Sequence, residues 1–242
     1  MSKKFQSFLG ILAGICFCVS VLTGITHFLA CNAPIMERIM REEAPPEETL
    51  LPETEYPGMN RMITGFLAGR EKDFQYTFTE NGSEYVCFQK HEQVHMTDCR
   101  ELIRLDGLVF LLSTGTLAVC LLTGLTGKRK PDRTKNGFGK GFLNGSMVMA
   151  GLLIIGVTWA VLDFDRVFTL FHEIAFTNDL WLLNPNTDML IRLMPETFFT
   201  EYGIIGGSAA GVILTAVILP TAICVTKNKR RAPSGTRSGD TV

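Results

Sequence analysis

Charge is missing from residues 5–30 of this 242-residue chain, and again from 107–125, 142–162 and 203–225. Apolar residues make up 46% of the sequence and fall in these unbroken runs rather than in the alternating or 3.6-residue patterns of soluble domains. That excludes an ordinary soluble protein. No basic stretch interleaved with aromatics is present, so nothing supports nucleic-acid binding. Phosphate-loop, dinucleotide-fingerprint, EF-hand and G-x-S-x-G patterns are also absent, which removes nucleotide, calcium and serine-hydrolase chemistry from consideration.

A bilayer core takes about 20 apolar residues per helix. Four stretches are long enough: about 5–30, 107–125, 142–162 and 203–225. With no water to satisfy the backbone, each must be a helix. The expected fold is therefore a membrane all-α core of four transmembrane helices in a single integral membrane domain. A small extracytoplasmic α/β loop subdomain and an amphipathic aromatic segment complete it. A cleaved signal peptide ending near Cys31 is disfavoured, because the apolar run exceeds the roughly 7–15 residues of such segments. Gly203, Gly206, Gly207 and Gly211 suggest close helix packing on the fourth span, and Pro220 lies near its far end.

Lys and Arg sort by loop. Lys3 and Lys4 precede the first span, and Lys128, Arg129, Lys130, Arg133, Lys135 and Lys140 join the second to the third. Lys227, Lys229, Arg230 and Arg231 follow the fourth. The positive-inside rule places these flanks and both termini in the cytoplasm and segments 31–106 and 163–202 outside. The polar tail 232–242 reads as disordered.

The first outer segment begins acidic and proline-rich at 31–55. Met59, Met62, Ile63, Phe66 and Leu67 then form one helical face, read as a short amphipathic helix near the membrane surface. A hairpin is expected over 73–89 around Asn81-Gly82, and a helix from about His91 runs into the second span. The second outer segment is dense in aromatics. Val167, Leu170, Phe171 and Ile174 make a face suited to the headgroup boundary.

Only four histidines occur, and His27, His91, His95 and His172 all fall at or beyond the outer face. Histidine is the side chain best matched to proton transfer near neutral pH. His95 and Asp98, three apart on a helix, are spaced to touch. His91-Glu92-Gln93-Val94-His95 also matches H-E-x-x-H, which would hold zinc with Glu92 as base and His172 or Glu173 as a further ligand. Side-chain nucleophiles are scarce: the outer segments contain one serine, Ser83, and the cysteines Cys31, Cys87 and Cys99. Cys99 is the best placed, beside His95 and Asp98, and a Cys87–Cys99 disulfide is left open. Cys16, Cys18, Cys120 and Cys224 lie in or beside apolar runs and read as fillers.

The stretch Phe171-His172-Glu173-Ile174-Ala175-Phe176-Thr177-Asn178-Asp179-Leu180-Trp181 closely resembles the bacterial lipoprotein intramolecular transacylase family. So do Asn184-Pro185, Asp188-Met189-Leu190-Ile191 and Met194-Pro195-Glu196-Thr197-Phe198-Phe199 after it, and His95-Met96-Thr97-Asp98 before the second span. The resemblance implies an enzyme that moves the sn-2 acyl chain of a diacylglyceryl-cysteine to its own α-amine, giving a lyso-form lipoprotein. His95 and His172 would be catalytic. Asp98, Glu173, Asn178, Trp181, Arg192 and Glu196 would support them or bind substrate, with Arg192, Asn178 or a backbone N–H at the oxyanion. No metal or cofactor is implied. The expected partners are diacylated bacterial lipoproteins and membrane lipid, and the expected place is the bacterial cell membrane, with the site on the extracytoplasmic face. The substrate's amine is itself the nucleophile, which accounts for the lack of a serine or cysteine motif. A zinc peptidase using His91, Glu92 and His95, and a non-catalytic membrane scaffold, are the competing expectations.

Overall fold

The computed structural model describes residues 2–126 and 137–230. The chain is mostly helical: α1 (Lys3–Ala30), α2 (Ala33–Glu43), α3 (Pro46–Thr49), α4 (Tyr56–Leu67), then strands β1 (Thr77–Glu80) and β2 (Ser83–Val86). There follow α5 (Lys90–Thr126), α6 (Gly137–Leu162), α7 (Phe164–Ala175), α8 (Met189–Leu193) and α9 (Glu196–Arg230). Among the described residues, α1, α5, α6 and α9 are long and apolar enough to cross a bilayer, and the protein is multi-pass. Of the charges that oriented the sequence reading, Lys128, Arg129, Lys130, Arg133, Lys135 and Arg231 lie outside the described residues, as does the tail 232–242.

Two of these helices outrun their apolar stretches. The 37 residues of α5 extend about 55 Å at about 1.5 Å per residue, against a hydrocarbon core of about 30 Å. Its N-terminal turns, Lys90 to Asp106, are the polar stretch that carries His91 and His95. Helix α9 begins at Glu196 rather than near 203, directly after Pro195, with a carboxylate in its first turn to complement the helix dipole. It continues through Pro220.

The chain forms two compact units. One comprises the described residues of Met1–Ser20, Leu112–Ile154 and Gly211–Val242. Here α1 and α6 cross in backbone contact. A Cβ added at Gly14 would lie 2.3 Å from the Phe142 carbonyl oxygen, and one at Gly141 would lie 2.2 Å from that of Ser7. Gly10 and Gly145 are equally confined. This corrects the expectation that glycines on the fourth span mediate close packing. A Cβ at Gly203, Gly207 or Gly211 would meet nothing within 4 Å among the described residues, and one at Gly206 meets only side chains of Leu29 and Ile25.

The second unit comprises Val21–Leu111 and Ile155–Ala210. Asn32 starts α2 by accepting a hydrogen bond from the Ile35 N–H at 3.1 Å, with Pro34 in the first turn, where its missing N–H costs nothing. The predicted amphipathic helix is α4, but its apolar face is turned into protein. Met59, Ile63 and Phe66 are buried in one core with Ile39, Met40 and Leu193. Each such side chain contributes about 1.5–3 kcal/mol. The Tyr56 hydroxyl donates to the Ala44 carbonyl and pairs with Thr49 at 2.9 Å, which ties α3 and α4 together. The hairpin forms as expected, antiparallel with Phe78 opposite Tyr85. Asn81 and Gly82 take φ of 51° and 78°, the left-handed pair that a tight two-residue hairpin turn requires.

Replacing Gly14 or Gly141 with alanine forces the α1–α6 crossing apart. Each should cost about 1–3 kcal/mol in thermal unfolding of the detergent-solubilised protein. Gly151→Ala, whose added methyl meets nothing within 4 Å, should stay within about 1 kcal/mol of the parent. Equal behaviour of the three variants would contradict this packing.

Candidate active site

Helix α5 delivers His95 and α7 delivers His172 to one apolar cavity of about 520 Å³ within the second unit. Its walls come from α1, α2, α4, α5, α7, α8, α9 and the segment between α7 and α8, and its polar features include His95, Cys99, His172, Trp181 and Tyr202. The volume lies in the range of roughly 300–1,000 Å³ usual for small-molecule sites. The imidazole centroids are 6.2 Å apart and both side chains are buried. Phe176 lies edge-on to His95 at 5.0 Å, and His172 is held between Phe168 at 4.1 Å and Trp181 at 4.9 Å.

The two histidines differ in hydrogen bonding. His172 Nδ1 lies 2.7 Å from the Phe168 carbonyl oxygen. A carbonyl only accepts, so Nδ1 carries the proton and Nε2 is left with a lone pair. Burial pushes the His172 pKa down, against a smaller upward pull from that hydrogen bond. The ring is thus neutral at pH 7, with a free acceptor. His95 Nε2 lies 3.6 Å from the Cys99 sulfur, and its buried Nδ1 has no hydrogen-bond partner.

Several sequence expectations change here. Asp98 does not bond His95. Its Oδ2 accepts from Asn178 Nδ2 at 2.9 Å, and Asn178 Oδ1 in turn accepts from the Leu180 N–H. Both residues therefore brace the segment after α7 rather than the His95 ring, and neither lines the cavity. Arg192 donates through Nε to the Asp188 carbonyl at 3.3 Å, and it too is absent from the cavity wall. Glu173 and Glu196 are exposed. Of the supporting candidates, Trp181 alone reaches the cavity.

His27 and His91 stand apart from the His95–His172 pair. His27 faces Asp106 at 3.7 Å, and His91 Nε2 is 2.9 Å from Asp188 Oδ2. Glu92 is completely buried, with Oε2 accepting from the Gln89 N–H and Oε1 from the Leu190 N–H, both at 2.7 Å. The residues of the H-E-x-x-H match are thus committed to different partners, with Glu92 held by backbone. Among the described residues no three His, Cys, Asp or Glu side chains gather as ligands for an ion. Asp188 is 2% exposed. Burial would raise its pKa, but hydrogen bonds from Asn184 N–H, His91 and Thr187 outweigh that and hold it below the usual carboxylate range. It is ionised, so His91 is the donor.

The cysteines are free. Cys87 packs against the core, where burial pushes its thiol up to about 12. Tyr202 was missed in the sequence because it stands one residue before the fourth apolar run. Its place one turn after Phe198, whose ring lies 4.7 Å away, was the available signal.

These features define a multi-pass membrane protein with two facing histidines, one fixed as a neutral acceptor, in an apolar cavity. The family model described as lipoprotein intramolecular transacylase Lit matches residues 11–199, and the chain belongs to that family. It is an acyltransferase that acts on lipoproteins. No curated protein matches the sequence. The fold is similar to the solved structure of the membrane-integral lipoprotein intramolecular transacylase from Bacillus cereus. That match has a TM-score of 0.70 at 13% identity, over 95% of this chain and 98% of that one. Two further structures of the Bacillus cereus protein, each with a single histidine replaced, match with TM-scores of 0.62 at 14% and 13% identity. They cover 93% of this chain, and 91% and 93% of their own.

A thiol with a pKa near 12 holds almost no thiolate at pH 8. Iodoacetamide at that pH should leave Cys87 unlabelled in the folded protein and label it after denaturation, as read by peptide mass spectrometry. Rapid labelling of Cys87 in the folded state would contradict the burial described.

Proposed function

We propose that the enzyme transfers the sn-2 acyl chain of a diacylglyceryl-cysteine to the α-amine of the same cysteine, with His95 and His172 as the acid–base pair. The observation that carries this is the buried, facing imidazole pair in an apolar cavity, with His172 held as an Nε2 acceptor. The amine nitrogen attacks the ester carbonyl carbon, a C–N bond forms, and the carbonyl π pair moves to oxygen. His172 Nε2 takes the amine proton. His95 carries its own proton on Nε2, facing the Cys99 sulfur at 3.6 Å, and its unpartnered Nδ1 receives the proton that His172 took. The tetrahedral centre collapses, the bond from carbon to the glyceryl oxygen breaks, and His95 passes that proton from Nδ1 to the oxygen. Both rings are then neutral again. The products are an amide and a free glyceryl hydroxyl, and no atom is gained or lost.

Intramolecularity supplies much of the acceleration, because a well-aligned internal nucleophile can lower the barrier by about 7–11 kcal/mol. The aromatic walls seat the acyl chain and limit water. The exposed apolar face of α7, with Ile174 77% exposed, suits the headgroup boundary, where a lipid-anchored substrate would lie. Both termini are cytoplasmic in this reading and the cavity opens on the extracytoplasmic side. Alkaline phosphatase fused at the C-terminus should then be inactive, and fused within residues 47–55 it should be active. The reverse pattern would invert the topology.

His95→Ala and His172→Ala should each lower N-acyl lyso-lipopeptide formation by about 10²–10⁴-fold, with a diacylated lipopeptide as substrate and mass spectrometry as the readout. Undiminished product in both variants would overturn the acid–base assignment. The pH profile has a worked sign. Below the amine's pKa of about 7.7–8.0, kcat/KM falls with unit slope as substrate protonates. Because burial lowers the His172 pKa, the second break, to a slope of two, should fall below about 6.5, the ordinary histidine value. A second break above it would contradict the buried neutral base.

A further inference from the structure

The segment from Thr177 to Leu193 contributes Trp181, Leu183, Leu190 and Ile191 to the cavity wall. Most of it is irregular backbone, with helix only at α8. It is fastened to the outer turns of α5 by a cluster of polar groups that the proposed chemistry does not use. Glu92 holds the Leu190 N–H at 2.7 Å. Asp188 accepts from His91 at 2.9 Å, from the Asn184 N–H at 2.8 Å, from Thr187 at 2.8 Å and from Gln89 at 3.3 Å. Gln89 also donates to the Thr187 carbonyl at 3.0 Å. At the other end of the segment, Asn178 is bonded to Asp98.

Such a concentration of buried carboxylates at the edge of an acyl cavity has a chemical consequence. Both carboxylates accept backbone N–H groups of fixed direction, so they set the position of the chain and not merely its attachment. An activated ester in this cavity has two acceptors available, the neighbouring amine and water. Transfer to the amine gives N-acyl lyso-lipopeptide. Attack by water gives the same lyso-glyceryl group, a free amine and a free fatty acid. Which acceptor prevails depends on how tightly the wall is closed while the ester is polarised.

We propose that Gln89, His91, Glu92 and Asp188 form a clasp that keeps the 177–193 wall shut during acyl transfer, and that this clasp decides between transfer and hydrolysis. These are positioning residues, acting through the aromatic and aliphatic side chains that the wall presents. The proposal rests on the His95–His172 reading of the cavity. It also gives the H-E-x-x-H match a role without a metal: its first histidine and its glutamate hold the wall, while its second histidine faces the substrate.

The test uses the full-length protein in lipid nanodiscs with a diacylated lipopeptide, and measures both N-acyl lyso-lipopeptide and free fatty acid. Gln89 is exposed and His91 is only half-buried, so Gln89→Ala/His91→Ala loosens the clasp from its outer side without emptying the core. The ratio of fatty acid to N-acyl product should rise about tenfold or more, while total ester consumption stays within about threefold. Glu92→Gln, which can keep one of the two backbone bonds, should give a smaller rise in the same direction. An unchanged ratio overturns the proposal, whether the rate is preserved or both products fall together, since reduced folding lowers both products equally. His95→Ala distinguishes the layers. Loss of both products there leaves the acid–base reading intact whatever the clasp variants do, and retention of both removes that reading by itself.

Discussion

In hydrocarbon no water is available to a backbone N–H or C=O, so every peptide group in the membrane must be satisfied within its own segment. The protein meets that constraint with four long helices. The remaining architecture follows from where those helices stop being apolar. Helix α5 runs from Lys90 through the apolar stretch to Thr126, which places His95 on helical backbone. Helix α9 likewise starts ahead of its apolar run and presents Phe198 and Tyr202 to the cavity. Among the described residues, irregular backbone lies in the connecting segments, where side chains such as Glu92 and Asp188 accept some of its N–H groups.

The allocation of polar groups explains why so few residues remain for chemistry. Segments 31–106 and 163–202 contain many carboxylates, yet Glu92 and Asp188 are held by backbone N–H groups and Asp98 by Asn178. Asp188 accepts several hydrogen bonds that hold it below the usual carboxylate range, so it serves as a brace and is poor as a base. The imidazoles have the opposite situation. His172 spends one nitrogen on the Phe168 carbonyl and keeps the other as an acceptor, and His95 has a buried Nδ1 without a partner. In the proposed reaction the nucleophile arrives on the substrate, so the site needs little more than two such rings and a wall that limits water. The described cavity offers both rings and an apolar wall.

Sequence periodicity and charge were enough for much of this. Absence of charge located the four spans, the spacing of Met59, Ile63 and Phe66 located α4, and Asn81-Gly82 located the hairpin, each through a rule acting over a few neighbouring residues. The same rules misjudged contacts that depend on distant partners. The three-residue spacing of His95 and Asp98 allows contact, but Asn178, eighty positions away in sequence, competes successfully for the carboxylate. The glycines of the fourth span looked like a packing face, whereas the close crossing belongs to Gly14 and Gly141 on the first and third.

What the sequence alone determined is therefore local: helix against loop, apolar against polar, and the two histidines that the family motifs mark. These properties depend on hydrogen bonds and side-chain spacing within a turn or two of helix. Tertiary structure decided which carboxylate braces which backbone, that His91 serves Asp188 while His95 faces His172, and that Tyr202 joins the cavity. Those outcomes depend on which groups reach within about 3 Å of one another after packing, and no spacing along the chain encodes that distance.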